Sequence, residues 1–411
     1  MQKRKIDGQI FFLGFGCVGS SLLPFIMKYW QFDLNQITIL DKDDKNFYIA
    51  KSYGIKNFLL VEITKKNYKK YLTLDKGDIL INLSVDIGSK DLVALCDEKE
   101  VLYIDTCIEP WAGVYDNPDL TPLERSNYQL RKDFLGLQKK NDVTALTCHG
   151  ANPGLVSHFV KQALINMAKK ANLNINKPQT QEEWALLAYK LNIKTIHIAE
   201  RDTQETNLKR QKEQFFNTWS VDGMISEGLQ PAEMGFGSHE TWKPAKSEIV
   251  ENGNSRALIM HQMGATVKVQ TYVPSVGRFM GMVITHNEAH SISEYFSTQV
   301  KENKYSPTVH YAYHPTNVTI ESWNDLLGTG LKGEDIEGIV LKPENIENGT
   351  DALTVLLMGN EELGAYSFGS HLSIEQAKNL IEYNTATSLQ IAISARLFLR
   401  RFSTEYRRCA A

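Results

Sequence analysis

Gly14-Phe15-Gly16-Cys17-Val18-Gly19 is a G-x-G-x-x-G spacing, set between the apolar run Ile10–Leu13 and a stretch from Ser20 to Trp30 with helical periodicity. Such a loop suits a pyrophosphate. Gly14 allows the tight turn off a strand, Gly16 lets the phosphates reach the backbone, and Gly19 lets the following helix close on the sheet. With Cys17 and Val18, the helix N-terminus adds unpaired N–H groups and a partial positive charge. A second apolar run, Ile37–Leu40, ends in Asp41, 22 residues past Gly19. A carboxylate there accepts hydrogen bonds from a ribose diol and repels a 2′-phosphate, so the pattern predicts NAD rather than NADP. The plainer alternative is a glycine turn in an ordinary βα unit.

A second set of residues is acidic and aromatic: Asp86, Glu109 with Trp111, Glu200, Trp219, Glu227, Glu233 and Glu288, all in segments that read as turns or strand ends. Carboxylates facing a nicotinamide suit a cationic substrate, and an indole face adds a cation–π attraction of ~0.5–2 kcal/mol. Taken singly, each acid reads equally well as a solvated loop residue and each tryptophan as core. A metal is not expected. His286-Asn-Glu-Ala-His290 has asparagine where a zinc protease needs glutamate, and no third ligand stands at suitable spacing. No G-x-S-x-G elbow or recognisable nucleophilic cysteine supports a hydrolase.

The elements that must position these residues follow a βα rhythm. Strands are read at Phe58–Val61, Asp78–Leu83, Val101–Ile104 and Val143–Thr147, with a polar helix around Thr121 to Lys140. This predicts an α/β fold: an N-terminal Rossmann domain, a doubly wound parallel sheet, over residues 1–153. Ligands of such sheets lie beyond the strand C-termini. That rule selects Asp41, Asn82, Ser84, Asp86, Asp105, Glu109, Trp111, His149 and Asn152, of which Asp105 and His149 could equally be capping residues. Lys65, Lys66, Lys69 and Lys70 read as a solvated helix face. Beyond Gly154 longer polar connections suggest a second, α+β domain for substrate binding and dimerisation over residues 154–373. Within it Thr195–Ile198 reads as a strand and Asn324 to Glu347 as a loop or insertion. Residues 374–411 read as a C-terminal helical segment able to pack back on the first domain.

Composition narrows the class. The chain has 411 residues, 42% hydrophobic and 23% charged, with a formal net charge of −3. This describes a globular protein without the basic footprint of a nucleic-acid or membrane-surface binder. Five scattered cysteines without C-x-x-C spacing suggest a reduced, cytoplasmic chain, and no run reaches the ~18 apolar residues of a membrane span.

Several blocks carry a resemblance. Asn82-Leu-Ser-Val-Asp86, Tyr103-Ile-Asp-Thr106 with Glu109-Pro-Trp111, Gly150-Ala-Asn-Pro-Gly154, Ile196-His-Ile-Ala-Glu-Arg-Asp-Thr-Gln204, Asn217-Thr-Trp-Ser220, Ser226–Glu233, Thr285-His-Asn-Glu288 and His310-Tyr-Ala-Tyr-His-Pro315 resemble bacterial homospermidine synthase. That family is related in fold to saccharopine dehydrogenase-like enzymes. The resemblance implies a homodimer that holds NAD as a prosthetic group and joins two putrescines into homospermidine and ammonia. It also implies use of spermidine, with diaminopropane released. Amine oxidation, imine exchange and reduction by the same cofactor are implied. So are catalytic roles for Glu200, Trp219, Glu227, Asn152 and His286, and substrate contacts from Asp86, Glu109, Glu288 and Asp351. Asn82, Ser84 and Thr106 join the glycine loop and Asp41 around the cofactor. Two departures stand out. Thr316 occupies a position where cysteine is expected, and family members continue beyond Arg407-Arg-Cys-Ala-Ala411, so contacts from that portion are expected to be missing. Two other readings remain: a saccharopine-dehydrogenase-like oxidoreductase with net hydride transfer, and a non-catalytic NAD- or polyamine-binding protein. The first needs an arginine for an α-carboxylate, and Arg201 is the only arginine in the acidic blocks.

Overall fold

Ile10–Leu13 (β1), Ile79–Asn82 (β4) and Leu102–Asp105 (β5) are buried at every position, the mark of parallel strands covered on both faces. They belong to a computed structural model that describes residues 4–115, 117–141, 143–329 and 336–402. With Ile37–Asp41 (β2), Asn57–Leu60 (β3) and Ala145–Leu146 (β6), they form a six-stranded parallel sheet in the order β3-β2-β1-β4-β5-β6. The order reverses at β1, which opens a crevice beyond its C-terminal end. Strand alternation sorts the side chains into two layers. Ile10, Phe12, Ile39 and Ile81 face the helix Cys17–Tyr29 (α1), whereas Phe11, Leu13, Leu80 and Tyr103 face the helix Ser89–Lys99 (α2).

Chain from far along the sequence completes the first layer. Leu389, Ala392 and Ala395, on the helix Ala386–Phe402 (α7), pack with Leu22, Leu23 and Ile26 of α1. Small residues on α7 let the two helices approach closely. The residues Arg407–Ala411, including Cys409, lie outside the described residues, as do residues 330–335 of the segment read as a loop.

The second sheet is mixed and nine-stranded. Its strands are Thr195–Asp202 (β7), Pro231–Gly235 (β8), Ser247–Asn252 (β9), Ser255–Met263 (β10), Lys268–Val273 (β11), Gly277–Met282 (β12), Thr308–His314 (β13), Thr350–Met358 (β14) and Tyr366–Ser373 (β15). Seven run in the order β9-β10-β8-β13-β7-β14-β15, and the β11–β12 hairpin joins at β13 through Met282 and Tyr313. The central strand β7 pairs parallel with β13 and antiparallel with β14. On its inward face Ile196 and Ile198 pack beneath Val156, Val160, Leu164 and Met167 of the helix Leu155–Lys170 (α4). Three shorter helices matter for the site: Asn127–Leu135 (α3), Val221–Leu229 (α5) and Asn287–Tyr295 (α6).

The strand read as ending at Ile198 continues to Asp202, so Glu200 and Asp202 sit in the middle of a sheet and not in a turn. Acids at these positions disguise the strand, because a buried carboxylate is costly and ordinarily excluded from such a place. The polar helix read across Thr121–Lys140 is shorter, and Ser126 caps it by accepting from the Gln129 N–H.

Leu389→Ala should therefore cost about 2–5 kcal/mol of stability, seen as a lower midpoint in denaturant unfolding. Leu389→Met should cost under about 1.5 kcal/mol.

Candidate active site

The three glycines differ in what surrounds them. Gly14 has φ +87°, the conformation that favours glycine, and its N–H donates to the Leu40 carbonyl. A Cβ on Gly19 would stand 2.7 Å from the Gly14 carbonyl oxygen, so close packing requires the bare backbone. A Cβ on Gly16 would meet nothing within 4 Å. The space before Gly16 is open, and no side chain caps the α1 N-terminus behind it. Asp41 joins the loop from the end of β2: its carboxylate accepts from the Phe15 N–H and, at 3.0 Å, from the Asp43 N–H. A carboxylate keeps lone pairs beyond these two bonds for a ribose diol. This donor set fits a dinucleotide.

The crevice opens into a cavity of about 1420 Å³, well beyond the ~300–1,000 Å³ of an ordinary small-molecule pocket. Its two ends differ in charge. Lys42, Lys45, Lys65 and Lys66 line it beside Asp41 and β3, where an adenosine would lie. Lys65 and Lys66 thus stand at the cavity rim, and only Lys69 and Lys70 of the group read as a helix face keep that position. Beyond β4 and β5 the lining turns acidic: Asp86, Glu109, Glu200, Glu227 and Asp351.

Gly14, Gly16, Cys17, Val18, Asn82, Ser84 and Thr106 line the cofactor side. Asn82 is buried and takes the Tyr103 hydroxyl as a partner for its amide. Asp105 is held away from the cavity, accepting from the Tyr103 hydroxyl at 2.9 Å and the Cys148 N–H at 2.7 Å, so it braces the end of β5. Asn152 lines the cavity with both side-chain polar atoms buried and lacking a protein partner, as expected of a group that meets a ligand. Gly19 lies behind the loop, outside the lining.

At the acidic end β7 presents Glu200 next to Asp351 of β14. Burial, reinforced by Asp202 and Glu227, pushes the Glu200 carboxyl up to about 8, although the Tyr311 hydroxyl donates to it at 2.6 Å. Asp351 is raised well above the carboxylate range by burial, then by Glu200 and Asp202. Glu109 is raised likewise by burial, Glu227 and Asp86. His286 Nε2 stands 3.2 Å from Glu227 Oε2. Asp86 takes a left-handed backbone, φ +62°, at the turn after β4.

Trp219 lies at the start of α5. Ser220 caps that helix by accepting from the Gly223 N–H at 3.0 Å, and the indole N–H reaches the Tyr313 hydroxyl at 3.4 Å. A Cβ on Gly223 would come within 2.9 Å of the indole ring, so this glycine is the bed on which the tryptophan lies.

Two acids of the sequence constellation stand elsewhere. Glu233 is fully buried and accepts from the Asn127 and Tyr128 N–H groups, holding the start of α3, while His290 contacts it at 2.8 Å. Glu288 does not line the cavity. Its carboxyl accepts from the Gly154 N–H where α6 meets α4, and burial pushes it up to about 8. Among the described residues no cluster of histidine, cysteine and acids could hold a metal ion. Tyr311, Tyr115, Cys107 and the α7 residues Thr387, Ser388 and Ile391 also belong here. Of these, Tyr311 had a signal in the sequence, as part of the block His310-Tyr-Ala-Tyr-His-Pro315.

The comparisons agree with this geometry. Residues 10–148 match the saccharopine dehydrogenase NADP binding domain, and residues 150–397 match the saccharopine dehydrogenase C-terminal domain. The chain is 41% identical over 400 residues to homospermidine synthase of Mesorhizobium japonicum, covering 94% of this chain and 81% of that protein. The chain belongs to the homospermidine synthase family. A second homospermidine synthase, from Blastochloris viridis, is 40% identical over 94% of this chain and 82% of its own length. The crystal structure of homospermidine synthase from Legionella pneumophila in complex with NAD superposes with a TM-score of 0.87 at 39% identity, covering 97% of this chain and 84% of that one. For this family member, no helix among the described residues is long and apolar enough to cross a membrane.

Two outcomes follow from the geometry. Gly16→Ala should leave the unfolding temperature of the cofactor-free protein unchanged and weaken dinucleotide affinity at least tenfold, whereas Gly19→Ala should lower both. The buried acids also set a pH dependence. Glu200 and Glu288 keep their protons to about pH 8 when folded and lose them near 4.5 when unfolded. The folded state therefore binds more protons, and stability falls as pH rises toward 8, by up to about 1.4 kcal/mol per pH unit for each group. His197 and His310, buried and lowered by desolvation, act oppositely but only below about pH 6.5. Thermal unfolding of the ligand-free protein should thus shift down between about pH 6.5 and 8, and Glu288→Gln should flatten that slope.

Proposed function

We propose that the chain is an NAD-dependent homospermidine synthase that transfers the aminobutyl group of putrescine to a second putrescine with release of ammonia. Spermidine is the alternative donor, with release of diaminopropane. The observation that carries this reading is the sign of the lining. Five carboxyl groups surround the end of the cavity beyond β4 and β5, and among the described residues no arginine lines it. An α-carboxylate substrate would lack a partner there, whereas an α,ω-diamine finds one at each end. Arg201 points its guanidinium elsewhere, to the Pro315 carbonyl at 3.0 Å and the Asn317 side chain. This disfavours a saccharopine-type reaction.

The glycine loop, Asp41, Asn82, Ser84 and Thr106 would hold NAD. When bound, its nicotinamide takes two electrons and a hydrogen from the amine-bearing carbon and later returns them to the new imine. The chain's own task is the proton. A primary amine of pKa ~10.4 costs roughly 4–5 kcal/mol to deprotonate at neutral pH. An ordinary carboxylate is a poor acceptor for that proton. Glu200, raised to about 8, is closer to the amine and a far better match. Asp86 and Glu109, which line the cavity beyond β4 and β5, would hold the distal ammonium, which remains charged. Trp219 offers its π face to the iminium carbon–nitrogen cation, worth ~0.5–2 kcal/mol. His286, 3.2 Å from Glu227, is placed to carry a proton to the departing amine. Asn152, with its amide unpaired, would fix the reacting nitrogen.

The four cysteines among the described residues are free, which supports a cytoplasmic setting. Tyr272 and Met280, set among Lys268, Gln270 and Arg278, are large apolar side chains on the exposed face of the β11–β12 hairpin, and their exposure supports the homodimer we propose.

The decisive measurement is incubation with putrescine and a trace of NAD⁺, with polyamines followed by mass spectrometry. Homospermidine in large molar excess over NAD⁺ is expected. NADH accumulating in step with amine oxidation would instead make the protein a dehydrogenase. Glu227→Gln and Trp219→Ala should lower kcat by about 10²-fold or more with NAD still bound, the scale of a lost proton-transfer or charge-stabilising group.

A further inference from the structure

One aromatic side chain touches both Glu200 and the histidine that meets Glu227, and it has not yet been given a role. Tyr311 is buried on β13, in parallel register with Ile198 of β7, so its ring lies on the same inward face as Glu200. Its hydroxyl donates to Glu200 Oε2 at 2.6 Å. Its ring packs on the His286 imidazole, with centroids 4.6 Å apart, and His286 in turn meets Glu227. On its other side it stacks on Tyr313 at 5.4 Å and an interplanar angle of 13°, and the Tyr313 hydroxyl accepts from Trp219. Tyr311 also lines the cavity itself.

We propose that Tyr311 is the positioning residue of the reacting end: its hydroxyl sets the Glu200 carboxyl as a proton acceptor, and its ring holds His286 against Glu227. The argument rests on donor inventory and surroundings. Glu200 is faced by Asp351 from β14, Glu227 from α5, Tyr313 from β13 and Asp202 on its own strand, with His286 beyond Tyr311. The charged neighbours among these are acids: Asp202 and Glu227 favour the protonated carboxyl, whereas a hydrogen bond from Asp351 works against it. Tyr311 is the larger of the two donors that oppose Asp202 and Glu227, and its hydroxyl is fixed on Glu200 at 2.6 Å. Burial and Glu200 raise its phenol far above the ordinary range, so it stays a donor at every working pH. The proton that Glu200 accepts comes from the substrate ammonium, and nothing else is consumed or formed in that step.

This inference rests on the diamine reading, and two variants test it. Tyr311→Phe keeps the ring stack and removes the hydroxyl. The acid limb of kcat/KM against pH should move up by about one unit, giving roughly a tenfold loss at neutral pH that is recovered at higher pH. Tyr311→Leu removes the stack as well, and should add a loss that no change of pH recovers. Calorimetric titration with putrescine across the same pH range supplies a readout without turnover. Its affinity midpoint should move up with Tyr311→Phe by the same interval. A Tyr311→Phe profile depressed equally at every pH, or unchanged in midpoint by both methods, overturns the proposal. If the wild-type protein binds putrescine yet makes no homospermidine, the activity reading fails. The calorimetric shift then decides the Tyr311 proposal alone.

Discussion

The structure turns on the desolvation of Glu200. An isoleucine-lined strand face continues, without a change of secondary structure, into Glu200 and Asp202. Burial raises both carboxyls, and each can ionise cheaply only where hydrogen-bond donors or a cation compensate it. Their neighbours show the same logic in two forms. Asp202 is fully satisfied, with donors from the Gln204 backbone and side chain, Thr218 and Thr387, and serves as a structural anchor. Glu200 has one strong protein donor and faces the cavity. Two residues on one strand face, two residues apart, thus divide into scaffold and site according to how many hydrogen bonds each is given.

The polarity of the cavity follows from the topology of the first sheet. Strand order reverses at β1, so loops from β2 and β3 lie to one side and loops from β4 and β5 to the other. The first group brings lysines and Asp41, the second brings Asp86 and Glu109. A dinucleotide lying across the switch point would present its anionic half to the former and its reactive ring to the latter. The second sheet then adds Glu200 and Asp351 from above, so the acidic end is built by both sheets and the cofactor end chiefly by the first.

The glycine loop was legible in the sequence because its requirement is local: a turn, an open approach and a tight helix, each met within six residues. Asp41 was legible for the same reason, sitting at a fixed distance along one βα unit. The cavity acids were visible as a constellation, and the family resemblance named most of them. Their spatial sorting was not. Glu233 and Glu288 carry the same side chain as Glu227, yet each is tied to a backbone N–H at a helix start, and sequence gives no sign of which helix will arrive there. Lys65 and Lys66 depend on where a loop crosses a crevice. The contribution of α7 is the least local of all, since Thr387 meets Asp202 across 185 positions.

The distance of α7 along the chain from α1 bears on how the molecule is made. The first layer of the parallel sheet is closed by Leu389, Ala392 and Ala395, and α1 waits for them with Leu22, Leu23 and Ile26 uncovered. At synthesis rates of 5–20 residues per second, the interval between the two helices leaving the ribosome is roughly 20–70 s. For that time the nucleotide-binding half presents an open apolar face to the cell. Its second half must fold around a partner that is itself incomplete, so assembly of the molecule is closer to the closing of a clasp than to beads folding in turn along a string.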